Sequence, residues 1–118
     1  MASFLHYGGI HRVLGEVNLN GCAGFWLFNT EGRQLTGIGE QNEEALIAVR
    51  TWHNFAENVD GLKETIMVFG DSITICTMVT ETTNLVVKVN PDANIEILRQ
   101  NVHALAELLK APLLAMNH

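Results

Sequence analysis

The stretch GFWLFNTEGRQLTG, residues 24–37, combines a very apolar run with a turn signal. Four large apolar residues follow Gly24 directly, and a short run of this kind is typical of a strand buried on both faces. The next four residues, NTEG, predict a turn in which Gly32 can adopt positive φ. Residues 33–38 then predict a return strand. The stretch therefore predicts the first β-hairpin of a sheet.

Three segments outside this hairpin have helical periodicity. Apolar residues at positions 10, 13, 14 and 17 predict a short first helix. Residues 43 to about 58 predict a long second helix, whose first turn carries Glu43 and Glu44, where the helix dipole favours negative charge. Residues 95–110 predict a third helix, and Pro112 is expected to end it.

Three more strands complete the predicted fold. Residues 65–69 and 72–79 predict a hairpin joined by Gly70-Asp71, and residues 85–89 predict a fifth strand. The element order is α-β-β-α-β-β-β-α. We therefore expect an α+β fold, with a five-stranded antiparallel sheet and helices on both faces. With 118 residues, 47% of them apolar, we expect a single domain over residues 1–118.

The charge balance argues against nucleic acid as a partner. Seven Lys and Arg residues stand against thirteen Asp and Glu, and the cations are scattered along the chain. No basic stripe can neutralise a run of phosphates, whether of nucleic acid or of anionic lipid. No stretch approaches the roughly 18 apolar residues of a membrane span, so we expect no direct membrane insertion. Cys22 and Cys76 are expected to be reduced and buried in a cytoplasmic protein.

The residue pattern offers no catalytic apparatus. Ser3 and Ser72 lack a GxSxG context, and the five histidines lack metal-ligand spacing. We therefore expect no enzyme, no cofactor and no metal site.

Apolar residues in two predicted elements exceed what one sheet can cover. On the second predicted helix one continuous face is apolar, while Leu46 and Ile47 fall outside it. That face consists of Ala45, Ala48, Val49, Trp52, Phe55 and Ala56. The strand at residues 65–69 is apolar on both faces, which at a sheet edge invites aggregation unless another chain pairs with it. Both features predict pairing with a second chain through this helix and this strand.

The order of elements and several local patterns resemble the Roadblock family of dynein-light-chain-like domains, from about Ile10 to Leu114. Residues 25–35, with Asn-x-Glu-Gly at the turn, resemble the family's first hairpin. Within the family, the chain is most similar to the late endosomal and lysosomal adaptor subunits of the Ragulator complex. Residues 47–52, 62–69 and 105–114 carry that similarity.

This resemblance implies a non-catalytic scaffold that pairs with itself or with another roadblock protein and regulates or anchors a Ras-like small GTPase signalling complex. It also implies a cytoplasmic protein that reaches the cytosolic face of late endosomes or lysosomes through its partners. The pairing residues it implies are Leu46, Val49, Trp52, His53 and Ala56 on the helix and Ile66, Met67 and Val68 on the strand.

Two other functions remain open. PAS, GAF and profilin-like sensor domains also place helices on an antiparallel sheet, and fold alone does not exclude them. A pocket of more than about 300 Å³ between sheet and helix would favour a sensor, whereas bulky residues such as Trp26 and Trp52 are expected to fill that space. The second alternative is a cargo adaptor like the dynein roadblock light chains, but these lack a third helix.

Overall fold

The computed structural model describes residues 21–39 and 43–116. Its elements are β1 (Cys22–Asn29), β2 (Gln34–Ile38), α1 (Glu43–Ala56), β3 (Glu64–Phe69), β4 (Ser72–Thr80), β5 (Thr83–Val89) and α2 (Ile95–Met116). The first predicted helix, at residues 10–17, lies outside the described residues. From the first hairpin onward, the predicted order of elements is confirmed.

The strands form an antiparallel sheet in the order β2-β1-β5-β4-β3. Helix α1 packs on one face, where its apolar side joins Trp26 and Val86 in one core cluster. Helix α2 packs on the other face, against a cluster that includes Leu27 and Val87. The predicted fold class, a five-stranded antiparallel sheet with helices on both faces, is confirmed.

Strand β1 supplies side chains to both cores. Successive side chains of a strand point to opposite faces. Phe25 and Leu27 accordingly face α2, whereas Trp26 and Phe28 face α1. All four are buried. The continuous apolar run is thus explained by a strand with a helix over each of its faces.

Two glycines make room for the indole of Trp26. A Cβ atom built on Gly24 would lie 2.8 Å from Trp26 Cζ2, and one built on Gly37 would overlap Trp26 Cδ1. Real Cβ atoms do not approach other atoms so closely, so a side chain at either position would displace the ring. The hairpin stretch therefore begins and ends with the glycines that its own tryptophan requires.

The turn of this hairpin is closed by Asn29. The backbone N–H groups of Glu31 and Arg33 donate to Asn29 Oδ1 at 3.0 and 2.9 Å. Gly32 has φ of 80°, a conformation that glycine adopts without steric cost. The NTEG sequence thus forms the predicted turn through a side-chain cap and a glycine in the left-handed region.

Helix α2 is longer than expected. It begins after Asn94, whose Oδ1 accepts from the N–H of Ile97 at 3.2 Å. It then continues through Pro112 to Met116, so the prediction that Pro112 ends the helix is wrong. Proline removes one backbone donor, and the buried side chain of Leu113 holds the last turn against the core. Neither described helix is both long enough and apolar enough to cross a membrane.

Candidate interaction surface

Strand β3 lies at one edge of the sheet, next to β4 only. Met78 N donates to Lys63 O at 2.8 Å, which places the pair 63 and 78 among the hydrogen-bonded pairs of this ladder. Such pairs alternate along antiparallel strands, so Thr65, Met67 and Phe69 direct their backbone groups to β4. The backbone groups of residues 64, 66 and 68 point outward. No other described strand pairs with them.

Some of the apolar side chains of β3 are exposed. Met67 and Phe69 point to the α1 face and pack against its core cluster. Ile66 and Val68 point to the opposite face and are 43% and 69% exposed. Among the described residues, helix α2 packs mainly over β4 and β5 and does not cover these two side chains. The edge therefore offers apolar side chains and backbone groups that no other described strand bonds.

Two of the predicted pairing residues lie in the core. Val49 and Trp52 are 0% and 5% exposed, because their side of α1 is covered by the sheet. Both side chains are thus buried within the single chain, and their part in pairing stays a prediction. The remaining predicted residues are partly buried, apart from the two exposed ones on β3. The partly buried ones are Leu46, His53, Ala56 and Met67.

Helix α1 instead exposes Ile47 and Phe55, at 48% and 53%. The sequence placed Phe55 on the buried face, but it lies at the margin of that face in the last turn of the helix. Ile47, Thr51 and Phe55 follow one another at intervals of four and therefore share one flank. The interval of four residues was the signal that could have predicted the exposure of Phe55. The apolar face predicted from the sequence was too wide.

The opposite flank of α1 borders the first hairpin. A Cβ atom on Gly32 would lie 3.4 Å from Leu46 Cδ1 and 3.6 Å from Arg50 Nε. The exposed flank is turned away from this hairpin, on a helix that contacts β3. We call Ile47, Phe55, Ile66 and Val68, together with the outer backbone of β3, the edge surface.

An ion-pair cluster fixes one end of β3. Glu64 Oε1 accepts from Arg99 Nε at 2.9 Å and Nη2 at 2.7 Å, while Oε2 contacts His103 and accepts from Thr77 Oγ1 at 3.3 Å. Partial burial raises the pKa of Glu64. Hydrogen bonds from His103 and Arg99, and their positive charges, outweigh this, so the pKa lies below its ordinary value. The cluster ties the start of the edge strand to α2.

His53 is held beside the core. Its ring meets that of Trp52 edge to face, with centroids 5.0 Å apart and planes at 87°. Loss of hydration on burial lowers the pKa of His53, while the charge of Glu57 acts in the opposite direction. The ring therefore extends the packing of the helix, and its partial burial disfavours the charged form.

One open cleft bears on the sensor alternative. It has a volume of about 390 Å³ and is lined by Met78, Val79, Thr80, Glu81, Thr82, Lys110 and Leu114. It lies between the β4–β5 turn and the end of α2, whereas a sensor was expected to hold its ligand between sheet and helix. The space beneath α1 is occupied by Trp26 and Trp52. The position of the cleft therefore does not support a sensor function.

No protein-family model matches the chain. A Ragulator complex protein LAMTOR2 homolog from Caenorhabditis elegans is 35% identical to it over 112 residues, which cover 90% of each protein. Among solved structures, the gliding protein MglB of Thermus thermophilus has a TM-score of 0.76 at 12% identity, over 91% of this chain and 90% of that one.

A Roadblock/LC7 domain from Streptomyces avermitilis has a TM-score of 0.66 at 12% identity, over 87% of this chain and 92% of that one. At such identities the two bacterial structures establish a shared fold. The sequence identity to the nematode protein extends over nearly the whole chain, and it establishes membership of a family as well as a fold. The chain belongs to the Roadblock family, in the branch of the Ragulator complex LAMTOR2 homologs.

Proposed function

We propose that this chain is a non-catalytic adaptor subunit that pairs through its edge surface with itself or with another roadblock protein. The pair anchors or regulates a Ras-like small GTPase within a larger signalling complex. The observation that carries the proposal is the outer edge of β3, which no other described strand pairs with, and the exposed Ile66 and Val68 beside its outward backbone groups.

Strand pairing at this edge has a clear physical basis. An incoming strand satisfies the outward backbone groups of residues 64, 66 and 68 and places its own side chains beside Ile66 and Val68. Left open, an apolar edge strand of this kind is an aggregation hazard. The exposed flank of α1 adds Ile47 and Phe55 to the contact, so the second chain meets a helix as well as a strand.

Membership of an assembly is supported by the relative at 35% identity, whose name places it in the Ragulator complex. From the resemblance to late endosomal and lysosomal adaptors we extend this to a cytoplasmic protein held at those membranes by its partners. A role without catalysis agrees with the chemistry of the edge surface, which is built from aliphatic and aromatic side chains.

The pairing step is tested by the solution mass of the purified chain, measured by light scattering over a dilution series. The chain is measured alone and mixed with a second roadblock protein from the same organism. We expect a stable dimer in at least one of the two samples. If the chain stays monomeric in both samples and does not aggregate when it is concentrated, the result would contradict pairing and favour the sensor alternative.

The GTPase step needs a separate measurement. We expect the paired chain to bind a Ras-like GTPase in calorimetric titrations against a panel of such proteins, each loaded with GDP or with a GTP analogue. The Val68→Asp variant serves as the unpaired control. If the GTPase binds this variant equally strongly, its binding surface is not formed jointly by two chains. That result would not contradict the pairing itself.

A further inference from the structure

We propose that the cleft between the β4–β5 turn and the end of α2 binds a small zwitterion that carries an aliphatic group. Aliphatic α-amino acids are the simplest molecules with this chemistry. The cleft shares no residue with the edge surface, so a ligand there and a pairing partner do not compete. Three features support this assignment: the volume and lining of the cleft, the charges beside it and an irregularity in β4.

The cleft is large enough for such a molecule and is partly lined by apolar side chains. Its volume of about 390 Å³ lies within the range of roughly 300–1,000 Å³ that is typical of ligand pockets. Met78, Val79 and Leu114 line it, and Leu114 is 46% exposed although it is apolar. An aliphatic group that covers Leu114 removes apolar surface from water, which favours binding.

Two opposite charges line the same cleft without forming an ion pair. Glu81 lies in the β4–β5 turn and Lys110 lies on α2, and both are exposed. In the part of the chain that the structure describes, neither is ion-paired with another residue. A zwitterion satisfies both, since its carboxylate pairs with Lys110 and its ammonium group pairs with Glu81. A ligand with a carboxylate alone would leave Glu81 beside a like charge, which disfavours it.

Hydrogen bonds fix the turn that carries Glu81. The hydroxyls of Thr80 and Thr82 share a hydrogen bond at 3.3 Å, and the N–H of Thr82 donates to Thr80 Oγ1 at 3.2 Å. These bonds bridge the backbone of Glu81. A turn that is ordered before the ligand arrives lowers the entropy lost on binding.

Strand β4 is irregular where it borders the cleft. Successive side chains of a regular strand point to opposite faces, yet Met78 and Val79 both line the cleft. The register of β4 against β5 shifts between Met78 and Thr80, which indicates a bulge at this point. Bulges redirect side chains and are common beside functional sites. The bulge therefore explains how two consecutive apolar residues contribute to one cleft.

Four related ligands test the proposal with the intact chain. Leucine carries both charges, leucinamide keeps only the ammonium group, N-acetylleucine keeps only the carboxylate, and N-acetylleucinamide carries neither. Each is titrated into the nitrogen-15-labelled chain, and the amide shifts of residues 78–82 and 113–114 are followed by NMR.

We expect leucine to bind with a dissociation constant on the order of 1 mM, as for a small ligand in an open cleft. Leucinamide and N-acetylleucine should each bind about fivefold more weakly, because each lacks one of the two exposed charge contacts. N-acetylleucinamide, which lacks both, should bind most weakly.

Variants that remove one charge assign each contact. Lys110→Met should weaken leucine binding about fivefold and leave leucinamide binding unchanged, because leucinamide has no carboxylate. Glu81→Gln should weaken leucine binding by a similar factor and leave N-acetylleucine binding unchanged. Asp71→Asn removes an acidic charge from the exposed turn at the other end of β4, so it is the matched control and should not alter binding.

Three results would overturn the proposal. The first is the absence of any shift at the cleft with leucine at about 20 mM, well above the expected constant. The second is equal or tighter binding of N-acetylleucinamide, which would assign the cleft to an uncharged stretch of peptide instead. The third is leucine binding that neither Lys110→Met nor Glu81→Gln weakens, which would place the ligand elsewhere on the chain.

Discussion

The two edges of the sheet differ in what they offer to another chain. Strand β2 is five residues long and includes Gln34, Thr36 and Gly37, and none of the large exposed apolar side chains that the structure describes lies on it. Strand β3 exposes Ile66 and Val68. Polar edges resist pairing, whereas apolar edges invite it. The difference supports the proposal that β3 is the edge that pairs with a partner and that β2 serves the chain's own core.

The inner side of β2 supports this division. Leu35 and Ile38 pack against the cluster beneath α2, and Gly37 provides space for Trp26. Substitutions on β2 should therefore change the stability of the single chain. Substitutions on the outer side of β3 should change association and leave stability nearly unaltered.

The largest effect is expected for Val68→Asp. An unpaired carboxylate placed between two strands must lose its hydration, so we expect self-association or partner binding to fall by at least about 100-fold. The exposed position predicts a change in unfolding free energy within about 0.5 kcal/mol. Light scattering gives the association, and urea unfolding of the dilute chain gives the stability.

Gln34→Asp on β2 is the matched control, because it adds the same charge to the other edge. We expect it to leave association unchanged. If both variants dissociate the dimer equally, the effect comes from net charge and the distinction between the two edges does not hold.

The next largest effect is expected for Gly37→Ala. The added Cβ atom overlaps the Trp26 ring, and overpacking of this kind costs about 1–3 kcal/mol of unfolding free energy. Urea denaturation measures the loss, with association unchanged at concentrations where the variant is folded. In a Trp26→Phe background the smaller ring should relieve the clash, so that the two losses are less than additive. Strict additivity would mean that the two residues do not contact.

Much of the fold was predictable because local signals and tertiary packing agree. The FWLF run, the NTEG turn and the Gly70-Asp71 turn each gave the correct element from sequence. The prediction at Pro112 was wrong because proline, which lacks a backbone donor, is only a local signal for a helix end. The burial of Leu113, which holds the helix beyond Pro112, depends on a tertiary contact that periodicity does not reveal.

The candidate site was only partly predictable, for a related reason. The apolar pattern of residues 65–69 indicated the strand, and the edge position that makes Ile66 and Val68 available comes from the sheet order. On α1 the apolar face predicted from the sequence was too wide. The sheet covers the part of that face that carries Trp52 and not the part that carries Phe55, so Trp52 is buried and Phe55 is exposed.

A smaller effect is expected for Phe55→Ser. The side chain lies on the flank of α1 that contributes to the edge surface, so we expect about tenfold weaker association, typical of an apolar contact beside the interface centre. Arg50→Gln on the opposite flank is the control and should have little effect. Association measured by sedimentation that is unchanged in Phe55→Ser would restrict the interface to β3.

The smallest effect distinguishes the two ends of β3 through pH. The pKa of Glu64 is lowered in the folded chain, so its ion pairs stabilise the fold above the ordinary glutamate pKa of 4.5 and are lost as the pH falls through the lower folded value. The parent should therefore exceed Glu64→Gln in unfolding free energy at neutral pH, and the gap should close below about pH 4.5. Val68 lies at the other end of β3, away from Arg99 and His103. We therefore expect the difference in unfolding free energy between Val68→Asp and the double variant Val68→Asp, Glu64→Gln to close over the same pH range. A gap that stays constant with pH would mean that Glu64 acts by packing and not by charge.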